Sequence, residues 1–271
     1  MLDLPDPQEE LMTANRPVVV GVDASAPSLA AVRWAAREAG RRDATLRLLH
    51  ACVFEGTPAH EPDELLLEHI YRWLHHAAGI ARDRAPGVRV ETVVRLGLAA
   101  DLLLAEAADA ALVVLGSHGL GGLRGALIGS VALRVAAEAP CPVVVVPGHQ
   151  PDRRGPVVAG FDRSESSDHA LRFAFEEAAA IRAPVLVVHA GEDDAELAAR
   201  AADWRRKYPE LEVGTQVVRD RVPARALRRA APDARLIVIG TRGRGPVAGG
   251  LLGSTGNALL AHAACPVAVV H

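Results

Sequence analysis

The residues best suited to chemistry in this chain are glycines. Gly116-Ser-His118-Gly119 is followed, nine residues on, by Gly129-Ser130-Val131, and Gly240-Thr-Arg242-Gly243 by Gly253-Ser254-Thr255 at the same spacing. Each group comes after a short apolar run and before a stretch of helical period. Lacking Cβ, glycine takes positive φ and lets a ligand approach the main chain, so such a turn can aim several N–H groups at one anion. A helix starting at Gly-Ser adds unpaired N-terminal N–H groups and a favourable dipole, which suits a phosphate. The loop is neither a Walker A motif nor the dinucleotide fingerprint Gly-x-Gly-x-x-Gly.

These loops are parts of an internal repeat. Pro17-Val-Val-Val-Gly21-Val22-Asp23-Ala-Ser25 returns as Pro156-Val-Val-Ala-Gly160-Phe161-Asp162-Arg-Ser164, at an offset of 139, whereas the Gly loops and Cys141-Pro-Val and Cys265-Pro-Val match at 124. The missing 15 residues fall between the second and third strands of the second copy. That is about four helical turns at about 3.6 residues each, so the second site is expected to be the more open.

Positioning the loops requires strands and helices in alternation. Short β-branched runs near 17–22, 45–50, 89–95, 111–115 and 142–146 alternate with Ala- and Leu-rich stretches, the pattern of βαβ units and a parallel sheet. The first helix is expected to start at Ser25 or Pro27 and to end near Gly40 in a left-handed cap; the second covers about 62–84 and the third 99–108. A flexible arm over residues 1–15, domains over 16–147 and 156–271, and a linker over 148–155 follow from the repeat and from Pro, Gly and charge content.

Composition narrows the function classes. Residues 1–150 carry a net charge of −5 and residues 151–271 one of +2, and Lys207 is the only lysine, so neither half has the balance of a sequence-independent nucleic-acid binder. No apolar run approaches the roughly 20 residues of a membrane span, and residues 1–16 lack the basic and apolar regions of a secretory signal. A cytoplasmic protein is expected. Cys52, Cys141 and Cys265 have no metal-ligand spacing and read as small buried side chains.

Gly-x-x-Gly, nine residues and Gly-Ser, with Val-Gly-x-Asp-x-Ser on the first strand and Pro-Cys-Pro-Val on the last, resembles the ATP-binding class of universal stress proteins. The resemblance covers about residues 16–271 as two domains. It implies two Rossmann-like α/β domains of the adenine nucleotide α-hydrolase type, each a five-stranded parallel sheet of order 3-2-1-4-5 with helices on both faces. It implies ATP as ligand, with the Gly loop holding phosphates and ribose and the main chain at Ala51 and Ala190 meeting the adenine. Gly21, Val22 and Asp23, with Gly160, Phe161 and Asp162, would face the nucleotide from the first strands, the two aspartates near ribose or a phosphate-bound Mg²⁺. The last strands would pair across a two-fold axis, which a tandem chain can satisfy internally while leaving room for a homodimer.

Several residues keep alternatives open. Asp23 and Asp162 can contact a ligand or close the turn before a helix. His50 and His189 end the second strands and read as hydrogen-bonded packing residues. His118 and Arg242 share one loop position and either can touch a phosphate; Arg124 and Arg244 can reach phosphates or be solvated. No positioned nucleophile beyond the cradle is evident, so the leading reading is a nucleotide-binding regulatory protein. An adenine nucleotide hydrolase or transferase of the same fold, and a structural dimerisation protein with empty pockets, are the alternatives.

Overall fold

The computed structural model describes residues 16–52, 64–119, 128–148, 153–192, 195–241 and 252–271. The first repeat runs β1 (Val18–Gly21), α1 (Ala26–Arg41), β2 (Leu46–Cys52), α2 (Glu64–Arg84), β3 (Val90–Leu96), α3 (Ala99–Ala107), β4 (Leu112–Gly116), α4 (Ser130–Glu138) and β5 (Val143–Val146). The second runs β6 (Val157–Gly160), α5 (Glu165–Ile181), β7 (Val185–Ala190), α6 (Ala195–Lys207), β8 (Val213–Val218), α7 (Pro223–Ala230), β9 (Leu236–Gly240), α8 (Ser254–His262) and β10 (Val267–Val270).

Within each repeat the strands are parallel in the order 3-2-1-4-5, as the resemblance implied. The two last strands then pair antiparallel, Val144 opposite Ala268, and join the repeats into one ten-stranded sheet. Two all-valine or nearly all-valine edges, each a template for strand addition, thereby cover one another. Helices cover both faces, which is why the central strands are continuous apolar runs. Val18 and Val20 pack with Ala31, Ala35 and Leu74 on the face of α1 and α2, while Val19 packs with Leu103 and Val135 on the face of α3 and α4. No described helix is long and apolar enough to cross a membrane.

Two local expectations need correction. Helix α1 does not stop at Gly40: it runs to Arg41, and the left-handed residue is Asp43, at φ 48°. The Ala44 N–H returns to the Ala39 carbonyl at 2.9 Å, a Schellman closure that Asp43 supplies in place of glycine. Arg182, its counterpart, does the same at φ 51°, with Ala183 bonded to Ala178. The 15 missing residues are also not all helix. Helix α2 has 21 residues and α6 has 13, so about two turns are lost there, and the remainder precedes the helix. The expected arm at 1–15 and half of the expected linker, 149–152, lie outside the described residues.

Candidate functional site

The loops that follow β1 and β4 meet at the carboxyl ends of the strands, where the 3-2-1-4-5 order reverses direction and open α/β sheets bind ligands. The first loop is organised by its aspartate. Asp23 Oδ1 accepts from the Ser25 N–H at 3.1 Å and from the Ser25 hydroxyl at 2.6 Å, and Ser25 Oγ accepts from the Ser28 N–H at 3.2 Å to cap α1. Asp162, Ser164 and Ser167 repeat all three bonds at the start of α5. The residue bracketed by Asp and Ser is left-handed in both copies, Ala24 at φ 63° and Arg163 at φ 67°. For a residue with Cβ that conformation costs about 1–2 kcal/mol, and the Asp-x-Ser bracket is what holds it.

The glycines divide into two groups. A Cβ on Gly116 would lie 2.7 Å from the Pro27 carbonyl carbon, and one on Gly240 2.6 Å from the Ser166 carbonyl oxygen. These two admit the first turns of α1 and α5 against the strand ends. Gly21 is similarly crowded by Leu115, at 2.6 Å, and Gly160 by Ile239, at 3.2 Å. Their lack of Cβ has a packing reason. Gly119 is different, because a Cβ there would stand 2.2 Å from Asp23 Oδ2 and would fill the space between the two loops. None of Gly116, Gly119, Gly129, Gly240 and Gly253 is left-handed, contrary to the expectation of positive φ; among the described glycines only Gly87 and Gly97 are. Close approach, not backbone handedness, is what these loops draw from glycine.

Gly129 and Gly253 bring the chain back. The Gly129 N–H donates to the Ser117 carbonyl at 2.7 Å and the Gly253 N–H to the Thr241 carbonyl at 3.3 Å, so each loop closes on itself and delivers a helix N-terminus beside it. The first intrahelical bonds run from Leu133 to Gly129 and from Asn257 to Gly253, each 3.0 Å. The N–H groups of Ser130, Val131 and Ala132, and of Ser254, Thr255 and Gly256, therefore have no acceptor within their helices. The contrast with α1 and α5 is informative. Those helices carry a serine N-cap, whereas α4 and α8 have glycine there and no side-chain cap bond among the described residues.

The strand-end histidines have a shared positioning task. His50 Nδ1 lies 2.7 Å from the Val22 carbonyl oxygen and His189 Nδ1 2.8 Å from that of Phe161. A carbonyl can only accept, so Nδ1 carries the proton and fixes the loop that bears Asp23 or Asp162. Ala51 and Ala190 follow these histidines, in register with Arg95 and Val218. His118 Nδ1 is 3.0 Å from Ser117 Oγ, and the His118 carbonyl is 3.4 Å from the Ser25 hydroxyl, whose hydrogen is already committed to Asp23 at 2.6 Å. Arg242 and Gly243 lie outside the described residues, as do Arg124 and Arg244. Sequence reasoning missed the left-handed Ala24 and Arg163; the repeated Asp-x-Ser was the available signal.

The three cysteines are buried and unpaired. Burial pushes the thiols of Cys141 and Cys265 up to about 11, so both remain protonated and unreactive near neutral pH. Among the described residues no three His, Cys, Asp or Glu side chains gather as a metal cage.

A doubled, parallel five-stranded unit with a glycine loop opening an uncapped helix defines a tandem doubly wound α/β protein. The universal stress protein family model matches it twice, over residues 14–147 and 154–271. The chain is 35% identical to a universal stress protein of Mycolicibacterium smegmatis, covering 93% of this chain and 96% of that one. It is 33% identical to one from Mycobacterium tuberculosis H37Rv, covering 93% and 95%. In fold it is similar to a universal stress protein from Archaeoglobus fulgidus, with a TM-score of 0.74 at 19% identity over 95% of this chain and 98% of that one. This chain belongs to the universal stress protein family.

Proposed function

We propose that each repeat binds an adenine nucleotide, ATP, through its Gly loop, and that occupancy regulates a cytoplasmic stress-response function without rapid phosphoryl transfer. The observation that carries this reading is the pair of helix N-termini capped by Gly129 and Gly253, whose first-turn donors no capping side chain satisfies. The cradle is sized for main-chain approach: a single Cβ at Gly119 would collide with Asp23. Mg²⁺ on the phosphates would fall to Asp23 and Asp162, each of which spends Oδ1 on its serine turn. ATP hydrolysis needs a positioned water or nucleophile and charge stabilisation beyond this cradle, and the reading assigns no residue to that task.

Mass spectrometry of the small molecules released on denaturing the purified protein, with calorimetric titration of ATP, tests the proposal. Two ATP sites per chain with turnover near the uncatalysed rate are expected. Absence of adenine nucleotide and no heat at millimolar ATP would overturn it, and steady turnover abolished by Asp23→Asn would move the protein to the hydrolase reading.

A further inference from the structure

The two repeats enclose a second concavity that shares no residue with the Gly loops. This cleft, of about 1390 Å³, lies between α1, the end of α2, the end of α5 and the start of β9. Arginines dominate its lining. Seven of them, against the two carboxylates of Asp83 and Glu177, face a volume larger than the 300–1,000 Å³ usual for small-ligand pockets. The whole chain carries −3, so this is a local concentration of positive charge and not a sample of a basic surface.

The charges differ in how they are held. Arg41 is engaged by Glu38 and Glu177, the latter at 3.2 Å, and forms a neutralised floor. Arg235 donates through Nε to the Gly155 carbonyl at 2.8 Å, and among the described residues neither terminal nitrogen of its fork has an acceptor. Arg153 donates one terminal nitrogen to the Pro232 carbonyl, while its buried Nε has no acceptor among the described residues. Arg33, Arg84 and Arg154 have no ion-pair partner among the described residues. Gly155 fixes this wall, because a Cβ there would lie 2.4 Å from the Asp233 carbonyl oxygen. Trp34, half-buried, adds one aromatic side chain to the lining.

Several guanidinium groups converging from both repeats, with an orphaned buried donor among them, suit an acceptor-rich anion. Guanidinium binds phosphate oxygens in a two-pronged fashion and gives up its hydration more readily than ammonium does. The geometry points to a binding site for a small, multiply phosphorylated molecule in the cleft between the repeats, separate from the nucleotide loops. A concave site favours a compact ligand. An extended nucleic acid would call for basic residues continuing beyond the cleft, which the net charge does not supply.

Because its ligand would bridge residues of both repeats, occupancy would tie them together. The test uses inorganic tripolyphosphate as probe and the full chain. Calorimetry is run on wild type, on Arg33→Ala/Arg84→Ala/Arg154→Ala, on the matching triple lysine variant, and on Gly119→Val/Gly129→Val/Gly253→Val. The expected result is a site that persists in the glycine variant, weakens at least tenfold in the alanine variant and is partly restored by lysine. Circular dichroism and an unchanged urea midpoint establish that the alanine variant is folded. Equal tripolyphosphate binding by wild type and alanine variant, loss of the site in the glycine variant alone, or tight binding of a single-stranded 20-mer with none of tripolyphosphate would each overturn the inference. ATP binding can fail without affecting these outcomes.

Discussion

The two repeats agree where the loops meet and disagree elsewhere. Asp23 and Asp162 make the same serine turn, Ala24 and Arg163 the same left-handed step, and His50 and His189 the same bond to the first-strand carbonyl. Away from the loops the copies part: α6 is shorter than α2, and the turn after β8 is clasped by Asp220 where the first copy has exposed Leu96. A shared scaffold could drift at both ends equally. That the drift spares the Asp-x-Ser turns after β1 and β6 places the common constraint there.

The repeats also meet asymmetrically, and this predicts the largest effect. Glu38 and Glu177 occupy equivalent positions on α1 and α5, with side chains only 2% and 3% exposed, yet both of their arginines, Arg41 and Arg42, come from the first repeat. Removing both arginines would leave two carboxylates of like sign buried together. Breaking a buried pair from one side costs about 3–5 kcal/mol. The double variant Arg41→Ala/Arg42→Ala should therefore lose about 3 kcal/mol in urea denaturation, the lower end because the arginines are themselves partly exposed. A loss below about 1 kcal/mol would mean that the pair is a surface contact.

Next in size is ligand linkage, which asks whether the conserved geometry means two working sites. ATP at about 100 times its dissociation constant should stabilise the folded chain by about 2.7 kcal/mol per independent site. Gly119→Val with Gly129→Val should remove one site and leave the other, since the new side chain meets Asp23. Gly253→Val should act on the second. A wild type with one site, indifferent to either change, would make one repeat structural. The packing glycines give the matching control: Gly116→Ala and Gly240→Ala should each cost about 1–3 kcal/mol from overpacking, with ATP affinity in the folded fraction retained.

Much of this was legible in the residues themselves, for a physical reason. A strand buried on both faces must be apolar throughout, and a helix that starts without another partner needs a cap, so β1, β4, Ser25 and Ser164 announce themselves locally. Ends set by competition between neighbouring residues do not. Gly40 looked like the left-handed stop, but Asp43 takes it because the closure from Ala44 to Ala39 needs the turn two residues past the helix. The reason for glycine at Gly116 was hidden as well, since it depends on Pro27, 89 residues earlier in the chain. The arginine cleft was least visible of all: Arg33, Arg84, Arg154 and Arg235 converge only once both repeats have folded.

The smallest expected effect sharpens the contrast at the third strand's end. Asp220 accepts from Arg225 at 2.6 and 2.7 Å and from the Val222 N–H at 2.9 Å, and its side chain is 5% exposed. The Arg225 hydrogen bonds, more than any other influence, hold its carboxyl down to about 2. A carboxyl whose folded value is depressed contributes stability that is complete above the unfolded value of about 3.9 and disappears as pH falls through the folded one. Asp220→Asn should therefore lower the urea midpoint by a constant, small amount from pH 5 to 8. The gap from wild type should shrink between about pH 4 and 2, because there the unfolded wild-type chain takes up the proton that the folded one resists. The equivalent change at Leu96, Leu96→Asn, should show no such pH dependence, since no carboxylate is lost. A gap that widens with acid, or one of equal pH dependence at both positions, would show that the clasp does not distinguish the repeats.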